Sequence, residues 1–261
     1  MATKEQIIEK IKEFRLMDDD FMTTIFDNDI ELTEFVLRII LDNPDIKVTE
    51  VHTQREIKNL HGRSVRLDIN AINSDGSLVD IEIQRTDKGA GVKRARYNSS
   101  MMDTNTLLSS EDCDILPESY VIFITEHDVL GGNLPIYHAE RIIKETGKLL
   151  NDGTHIVYVN NSYQDNSPLG KLMHDFACKN PNDMSYQIVA DKTRYYKENE
   201  EGVKTMCKIV EDLCNQEREE AKEETIKNLI INNLKKGKSC EVVAEIFDVP
   251  LQEVQKIKEN M

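Results

Sequence analysis

Asp68, Asp80, Glu82 and Gln84 fall within one 21-residue stretch, SVRLDINAINSDGSLVDIEIQ (Ser64–Gln84), in which polar and aliphatic residues alternate. Ser74-Asp75-Gly76 suits a three-residue hairpin loop, a type I turn closed by a glycine in the left-handed region. Asn73 then pairs with Ser77, and paired residue numbers sum to 150: Asp68 meets Glu82, Asn70 meets Asp80, and Arg66 meets Gln84. Val65, Leu67, Ile69, Ala71, Val79, Ile81 and Ile83 line the other, apolar face. Like charges directly opposed across a ladder cost a few tenths to about 1 kcal/mol, so the paired acids call for a compensating cation. Two carboxylates, the backbone carbonyl of Ile83 and waters make a hard oxygen site suited to Mg²⁺ or Mn²⁺. A two-residue Asp75-Gly76 turn would shift the register by one and separate Asp68 from Glu82, leaving a half-exposed hairpin with a polar solvent face.

An aspartate on one strand followed by Glu-x-Lys or Glu-x-Gln on the next resembles the PD-(D/E)XK nuclease superfamily, here Asp68 with Glu82-Ile83-Gln84. RLDINA, VDIEIQ, RARYNSSMMD, LPESYVIFIT, SPLGKLMHDFACKNPNDM and GKSCEVVAEIF are similar, in order and spacing, to the bacterial recombination-promoting nuclease/transposase (Rpn) family, from about Arg15 to the C-terminus. The resemblance implies a restriction-endonuclease-like α/β fold and metal-dependent hydrolysis of DNA, with a part in recombination or on mobile DNA suggested by the family's name. It makes Asp68 and Glu82 the metal ligands and places Gln84 where lysine is commonest. Glutamine can orient a water through its amide but brings no positive charge, so more of the lowering of the water's pKa would fall to the metal. Asp80 is open between an outer acid, a ligand to a second metal and a solvated surface residue. The superfamily also places an acid on the helix before the first core strand; in IELTEFVLRIIL (Ile30–Leu41) the choices are Glu31 and Glu34, and a solvated helix glutamate is the alternative for each.

RTDKGAGVKRAR follows, in which Arg85, Lys88, Lys93, Arg94 and Arg96 face a single acid, Asp87. Gly89 and Gly91 loosen the loop, and a helix from about Lys93 would stand beside the acids. Such a patch can take DNA phosphates, and Arg94 and Tyr97, which match a family pattern, join Lys93 and Arg96 as candidate contacts.

These residues need a scaffold. The 261 residues suffice for one sizeable domain and an appendage, and 39% hydrophobic content supports a packed core. A net charge of -15 argues against a general polyanion binder and confines nucleic-acid contact to local patches. The 31% charged content, a mean hydropathy of -0.50 and the absence of an 18-residue apolar run describe a soluble chain without a membrane span. MATKEQIIEKIKEF reads as a charged amphipathic helix rather than a signal peptide, and five scattered cysteines (Cys113, Cys178, Cys207, Cys214, Cys240) with no CxxC pair read as reduced thiols, so the expectation is a cytoplasmic protein. His174 in LMHDF reads as a helix histidine satisfied by packing.

Strands are expected near Val48–Glu56, across the hairpin, at Tyr120–Thr125 and at His155–Asn160, with a helix over IYHAERIIKETGKLL between the last two. The expected fold is a restriction-endonuclease-like mixed sheet flanked by helices, spanning residues 1–197, with a helical extension over 198–261. In that extension Val203, Met206, Val210 and Leu213 recur at helical spacing, and the charged bridge QEREEAKEE leads to Ile226, Leu229, Ile230 and Leu234. Gly237 stops the helix, Ser239 caps a second, and Pro250 opens a third. This resembles a helix-turn-helix, but five lysines against five acids over residues 235–261 suit a protein contact, such as a homodimer, as well as DNA. Two readings stand: a Mg²⁺-dependent DNA endonuclease, and a catalytically weak DNA-binding or regulatory protein that keeps the nuclease fold.

Overall fold

The chain reverses at Asn73–Ser77 as the turn residues demand. Asn73 N–H donates to the Ser77 carbonyl at 3.0 Å, Gly76 N–H donates to the Asn73 carbonyl at 2.9 Å, and Gly76 takes φ +88°. The computed structural model describes residues 3–59, 62–86 and 89–261. Asp87 and Lys88 of the basic stretch lie outside the described residues.

The turn joins β2 (Val65–Asn73) to β3 (Leu78–Gln84), with Ile69 opposite Ile81, Asn70 opposite Asp80 and Ala71 opposite Val79. This is the register that pairs residues summing to 150, not the shifted one. β1 (Val48–Ile57) lies antiparallel outside β2, while β4 (Ser119–Thr125) runs parallel to β3 and β8 (Thr154–Asn160) parallel to β4. β5 (Ile136–Ala139) closes the far edge antiparallel to β8, giving a six-stranded mixed sheet of order β1-β2-β3-β4-β8-β5. Helices α2 (Asp19–Phe26) and α3 (Ile30–Ile40) pack on β1, and α4 (Val92–Thr106) packs on β4 and β8 and reaches β1 and β2. α1 (Lys4–Glu13) precedes them. Asp29 caps α3 by accepting from Leu32 N–H at 3.0 Å, and Ser167 caps α5 (Pro168–Ala177) by accepting from Gly170 N–H. The flanked mixed sheet is the restriction-endonuclease-like α/β fold that the sequence led us to expect.

The segment IYHAERIIKETGKLL does not form the expected helix. It supplies β5 and then a small hairpin, β6 (Ile142–Ile143) with β7 (Lys148–Leu149), turning at Gly147 with φ +68°. Its aliphatic doublets match a helical period, yet Ile142, Ile143, Leu149 and Leu150 all stay exposed, so no buried face rewards a helix. The open edge of β8 offers ladder hydrogen bonds instead, pairing Tyr137 with Tyr158 and His138 with Val157. His174 also departs from expectation: on α5 its side chain is 42% exposed, with Nδ1 3.2 Å from Asp175, and is not packed in the core.

By contacts the chain divides into Ile8–Met206, which holds the whole sheet, and a second unit of Met1–Ile7 with Cys207–Met261. α6 (Gln187–Glu198) ends before Asn199, and α7 (Glu200–Lys235) runs from the end of the first unit into the second. In the second unit Ile230 of α7 packs with Cys240 and Val243 of α8 (Cys240–Phe247) and Val254 of α9 (Leu251–Glu259). Ser239 caps α8 through Val242 N–H, and Gly237 takes φ +83° after α7.

Candidate active site

β2 and β3 stay laddered as far as Ile69 and Ile81. One step further, where Asp68 would face Glu82, the Asp68 carboxylate accepts from Ile83 N–H at 3.1 Å. The Gln84 carbonyl accepts from Glu126 N–H at 3.0 Å beyond the end of β4. Because successive peptide groups of a strand point to opposite sides, the N–H and C=O of Ile83 both turn toward Asp68. Asp68, Glu82 and the Ile83 carbonyl therefore converge where the two strands part.

The acidic face is not a solvent face. Asp68 is 8% exposed, and Asp80 and Glu82 are 0% exposed, because α4 lies across them. Asp80 is therefore not the solvated residue that remained open from sequence. Asn98 of α4 donates to Asp80 Oδ2 at 3.1 Å and to Glu82 Oε1 at 3.0 Å, while Asp80 Oδ1 is buried without a hydrogen-bond partner among the described residues. One turn earlier, Arg94 pairs with Glu82 Oε2, the oxygen to which Gln84 Nε2 donates at 3.5 Å. Burial is the largest cause pushing all three acids upward: Asp68 rises to about 6, helped by Asp19, and Asp80 and Glu82 rise further, with repulsion from Asp68 adding to burial at Asp80 and repulsion from Asp80 and Asp68 adding to it at Glu82. Among the described residues no three His, Cys, Asp or Glu side chains already form a metal-holding group. Ile83 N–H engages Asp68, and Arg94 and Asn98 engage Glu82.

The raised acids predict an inverted pH response for metal-free protein. A carboxyl whose pKa is higher folded than unfolded holds its proton more tightly in the fold, so its stabilising contribution is lost as pH rises through the folded value. For Asp68 that window runs from its ordinary 3.8 to about 6, and Asp80 and Glu82 extend it upward. Carboxyls with lowered values, such as Asp75, Asp128 and Asp165, act below it. Melting temperature in EDTA is expected to fall by about 3 to 6 °C between pH 5 and pH 9 at constant salt. A melting curve that climbs over this range would contradict the burial of ionisable acids.

Gly89 confines Gln84. A Cβ at Gly89 would meet the Gln84 amide oxygen, so only glycine leaves that amide where it reaches Glu82. Since the atom displaced is the free end of a flexible side chain, Gly89→Ala should leave the fold and melting temperature intact. Cleavage, if Gln84 orients a water, should fall about 10- to 100-fold. Equal rates for Gly89→Ala and wild type would remove Gln84 from the site.

Asp68 opens onto a cleft of about 800 Å³ that Asn98 also lines, together with Arg63 and Arg66 and with Lys93 and Arg96 of α4. No ion pair among the described residues engages these four cations. Lys93 and Arg96 therefore lie where a phosphate path was expected. Arg94 turns inward to Glu82, and Arg85 pairs with Asp18 and Glu126 in a network shared with Arg15. The Tyr97 hydroxyl donates to the Arg63 carbonyl and accepts from Asn59, fixing α4 against the segment before β2.

Glu34 is not at this site. Its carboxylate accepts from Val48 N–H at 3.1 Å and pairs with Arg38 and Lys47. Val48 faces Asn73, five residues from Asp68 along β2, or about 17 Å at about 3.3 Å per residue. Glu31 is exposed. The helix acid that does act on Asp68 is Asp19, in the first turn of α2, whose carboxylate accepts from Gln54 Nε2 at 3.2 Å. Gln54 stands opposite Asp68 in the β1–β2 register, with φ +53°. The acidic run Asp18-Asp19-Asp20 was its sequence signal. Asn98, Arg63 and Arg66 were likewise missed; Asn98 lies four residues after Arg94, hence on the same helix face.

A family model described as PD-(D/E)XK nuclease family transposase matches residues 25–167, more than half of the chain and the whole of the hairpin, α4 and β4. Neither the curated proteins nor the solved structures contain a match.

Proposed function

The chain belongs to the PD-(D/E)XK nuclease family transposases, and from that premise we propose that it is a divalent-metal-dependent endonuclease that hydrolyses DNA phosphodiester bonds. The observation that carries this reading is the buried group of Asp68, Asp80 and Glu82, whose Asp68 opens onto a cation-lined cleft. The donor set fits a hard cation: three raised carboxyls, an unpartnered Asp80 oxygen and a backbone carbonyl turned the same way. Mg²⁺ or Mn²⁺ held by Asp68, Glu82 and the Ile83 carbonyl would supply Lewis-acid polarisation of the phosphate and a lowered pKa for the attacking water.

The chain's own residues do the rest. Asn98 holds Glu82 and Asp80 in fixed orientation, and the Gln84 amide, beside Glu82, orients the water. Arg63, Arg66, Lys93 and Arg96 bind the backbone of the DNA, so the acidic chain meets its substrate only through this local patch. Supercoiled-plasmid nicking with Mg²⁺ or Mn²⁺ tests the reading: wild type cuts, while EDTA or Asp68→Ala abolishes cutting. Metal-independent cutting, or full cutting by Asp68→Ala, would sink it. The second reading, a catalytically weak DNA-binding protein, draws on the neutral Gln84 and the Arg94 contact on Glu82. Tight DNA binding without cutting under any divalent ion would favour it.

Among the described residues no helix is long and apolar enough to cross a membrane, and the five cysteines are free thiols. Both fit our placement of the protein in the cytoplasm. We assign the nuclease to the sheet unit and the helical end to target choice or self-association as a homodimer. A chain ending at Met206 is expected to stay folded and to keep metal-dependent cleavage within about tenfold, since all proposed ligands lie in Ile8–Met206. A soluble, folded and wholly inactive truncation would mean that the helical end completes the site.

A further inference from the structure

We propose that Arg94 is an exchangeable counter-ion that couples DNA binding to metal binding. In DNA-free protein it neutralises Glu82; a phosphate in the cleft draws it away and leaves Glu82 to a divalent cation. The inference rests on the nuclease reading above.

The two oxygens of Glu82 have different partners. Oε1 accepts from Asn98, itself buried and anchored to Asp80, whereas Oε2 takes Arg94 and the weaker Gln84 contact. Asn98 can therefore hold the carboxylate in place while Arg94 leaves, so the metal-facing oxygen is the one released. Arg94 is suited to leaving. Its side chain is 38% exposed, whereas Glu82 is 0% exposed, and the guanidinium also lies among the residues that line the cleft. Of its five N–H donors, Nη2 serves Glu82 and Nη1 donates to the Gly89 carbonyl at 3.1 Å, which leaves donors for a phosphate. The Phe123 ring centre, 5.9 Å from the guanidinium carbon, gives the guanidinium a cation–π neighbour beside the acids.

The neighbours supply the pull. Lys93 and Arg96 lie on the same helix and line the cleft with Arg63 and Arg66, so a strand gripped by these cations brings phosphate oxygens to the mouth of the acid group. Arg94 and a divalent cation cannot share Glu82 Oε2 without strong like-charge repulsion. DNA and metal then help each other, and by linkage the help is equal in both directions. Such coupling would spare a nuclease from holding a loaded metal when no substrate is present.

The experiment is isothermal titration of Ca²⁺, a hard oxygen-seeking ion, into wild type and Arg94→Met at pH 8, with and without a 12-base-pair DNA duplex. Arg94→Met keeps an unbranched apolar stem and removes the charge. Without DNA it is expected to bind Ca²⁺ about tenfold tighter than wild type. DNA is expected to tighten Ca²⁺ on wild type by about tenfold and on Arg94→Met by much less. Should Arg94→Met fail to fold by circular dichroism, Arg94→Lys, a shorter point charge without the fork, is expected to bind Ca²⁺ several-fold tighter than wild type. Equal or weaker Ca²⁺ binding by the folded variant, with the same gain from DNA as wild type, would overturn the coupling and leave the nuclease reading standing. No Ca²⁺ binding by any form, with or without DNA, would overturn both.

Discussion

Asp68→Asn and Glu82→Gln are each expected to lower metal-dependent cleavage by at least about 10³-fold, equivalent to about 4 kcal/mol of transition-state stabilisation. The amides keep the local geometry. An asparagine at 68 still offers an oxygen to Ile83 N–H, and a glutamine at 82 still offers one to Asn98. What each loses is the negative charge that a hard cation requires. Stability should move the other way. Burial lifts Asp68 to about 6, so its ionised form costs stability at neutral pH, and the amide removes that cost. In EDTA at pH 8, Asp68→Asn is expected to melt at or above the wild-type temperature. Glu82→Gln is less favourable, because Arg94 loses its ionic partner. Wild-type cutting rates in either purified variant would refute the ligand assignment. An unfolded variant would show that these acids hold the fold together, which the pKa directions contradict.

Replacing Arg63, Arg66, Lys93 and Arg96 together with serine is expected to weaken DNA binding by about 10²- to 10³-fold near 0.1 M salt. The plot of log affinity against log salt should flatten by about 3 units, since each phosphate contact contributes roughly 0.7 to 0.9. The loss should be uniform across DNA sequences, because phosphate contacts carry no base information. None of the four touches the acids by hydrogen bond or ion pair among the described residues, so binding of a lone divalent ion should survive. Arg94 is left out of this set because in the DNA-free protein it pairs with Glu82, so its loss would also change the acid group. Fluorescence anisotropy with a labelled duplex across a salt series in EDTA measures the slope; an unchanged slope would move the DNA path elsewhere on the surface.

Short-range chemistry made the hairpin legible. Gly76 alone among its neighbours can take φ +88° without strain, so a tight reversal there follows from one residue type at one position, and the structure closes it as the three-residue loop that pairs Asn70 with Asp80. Ser239 likewise announced the helix it caps, because a cap needs only an oxygen three residues ahead of a free N–H. The segment after β4 was misread for the converse reason. Its aliphatic doublets fit a helix, but the open edge of β8 was the better partner, and no local pattern records an edge created by distant strands.

The same division runs through the site. The amino-acid sequence by itself determined that the chain reverses at Ser74–Gly76 and narrowed the pairing to two registers, in one of which Asp68, Asp80 and Glu82 share a face; the structure holds that one. The sequence also determined that the chain carries a basic helix start at Lys93–Arg96 just after those acids. Only the tertiary structure decided that α4 crosses that face and buries it. That crossing turned Asp80 from a plausible surface acid into a fully buried one, set Arg94 against Glu82 and brought the Tyr97 hydroxyl to the Arg63 carbonyl. The packing of α2 likewise brought Asp19 rather than Glu34 to bear on Asp68, and the fold gathered Arg63, Arg66, Lys93 and Arg96 around one cleft. Those pairings join residues tens of positions apart, and their partners are selected by how helices pack on the sheet, a free-energy balance over the whole core that no window of sequence contains.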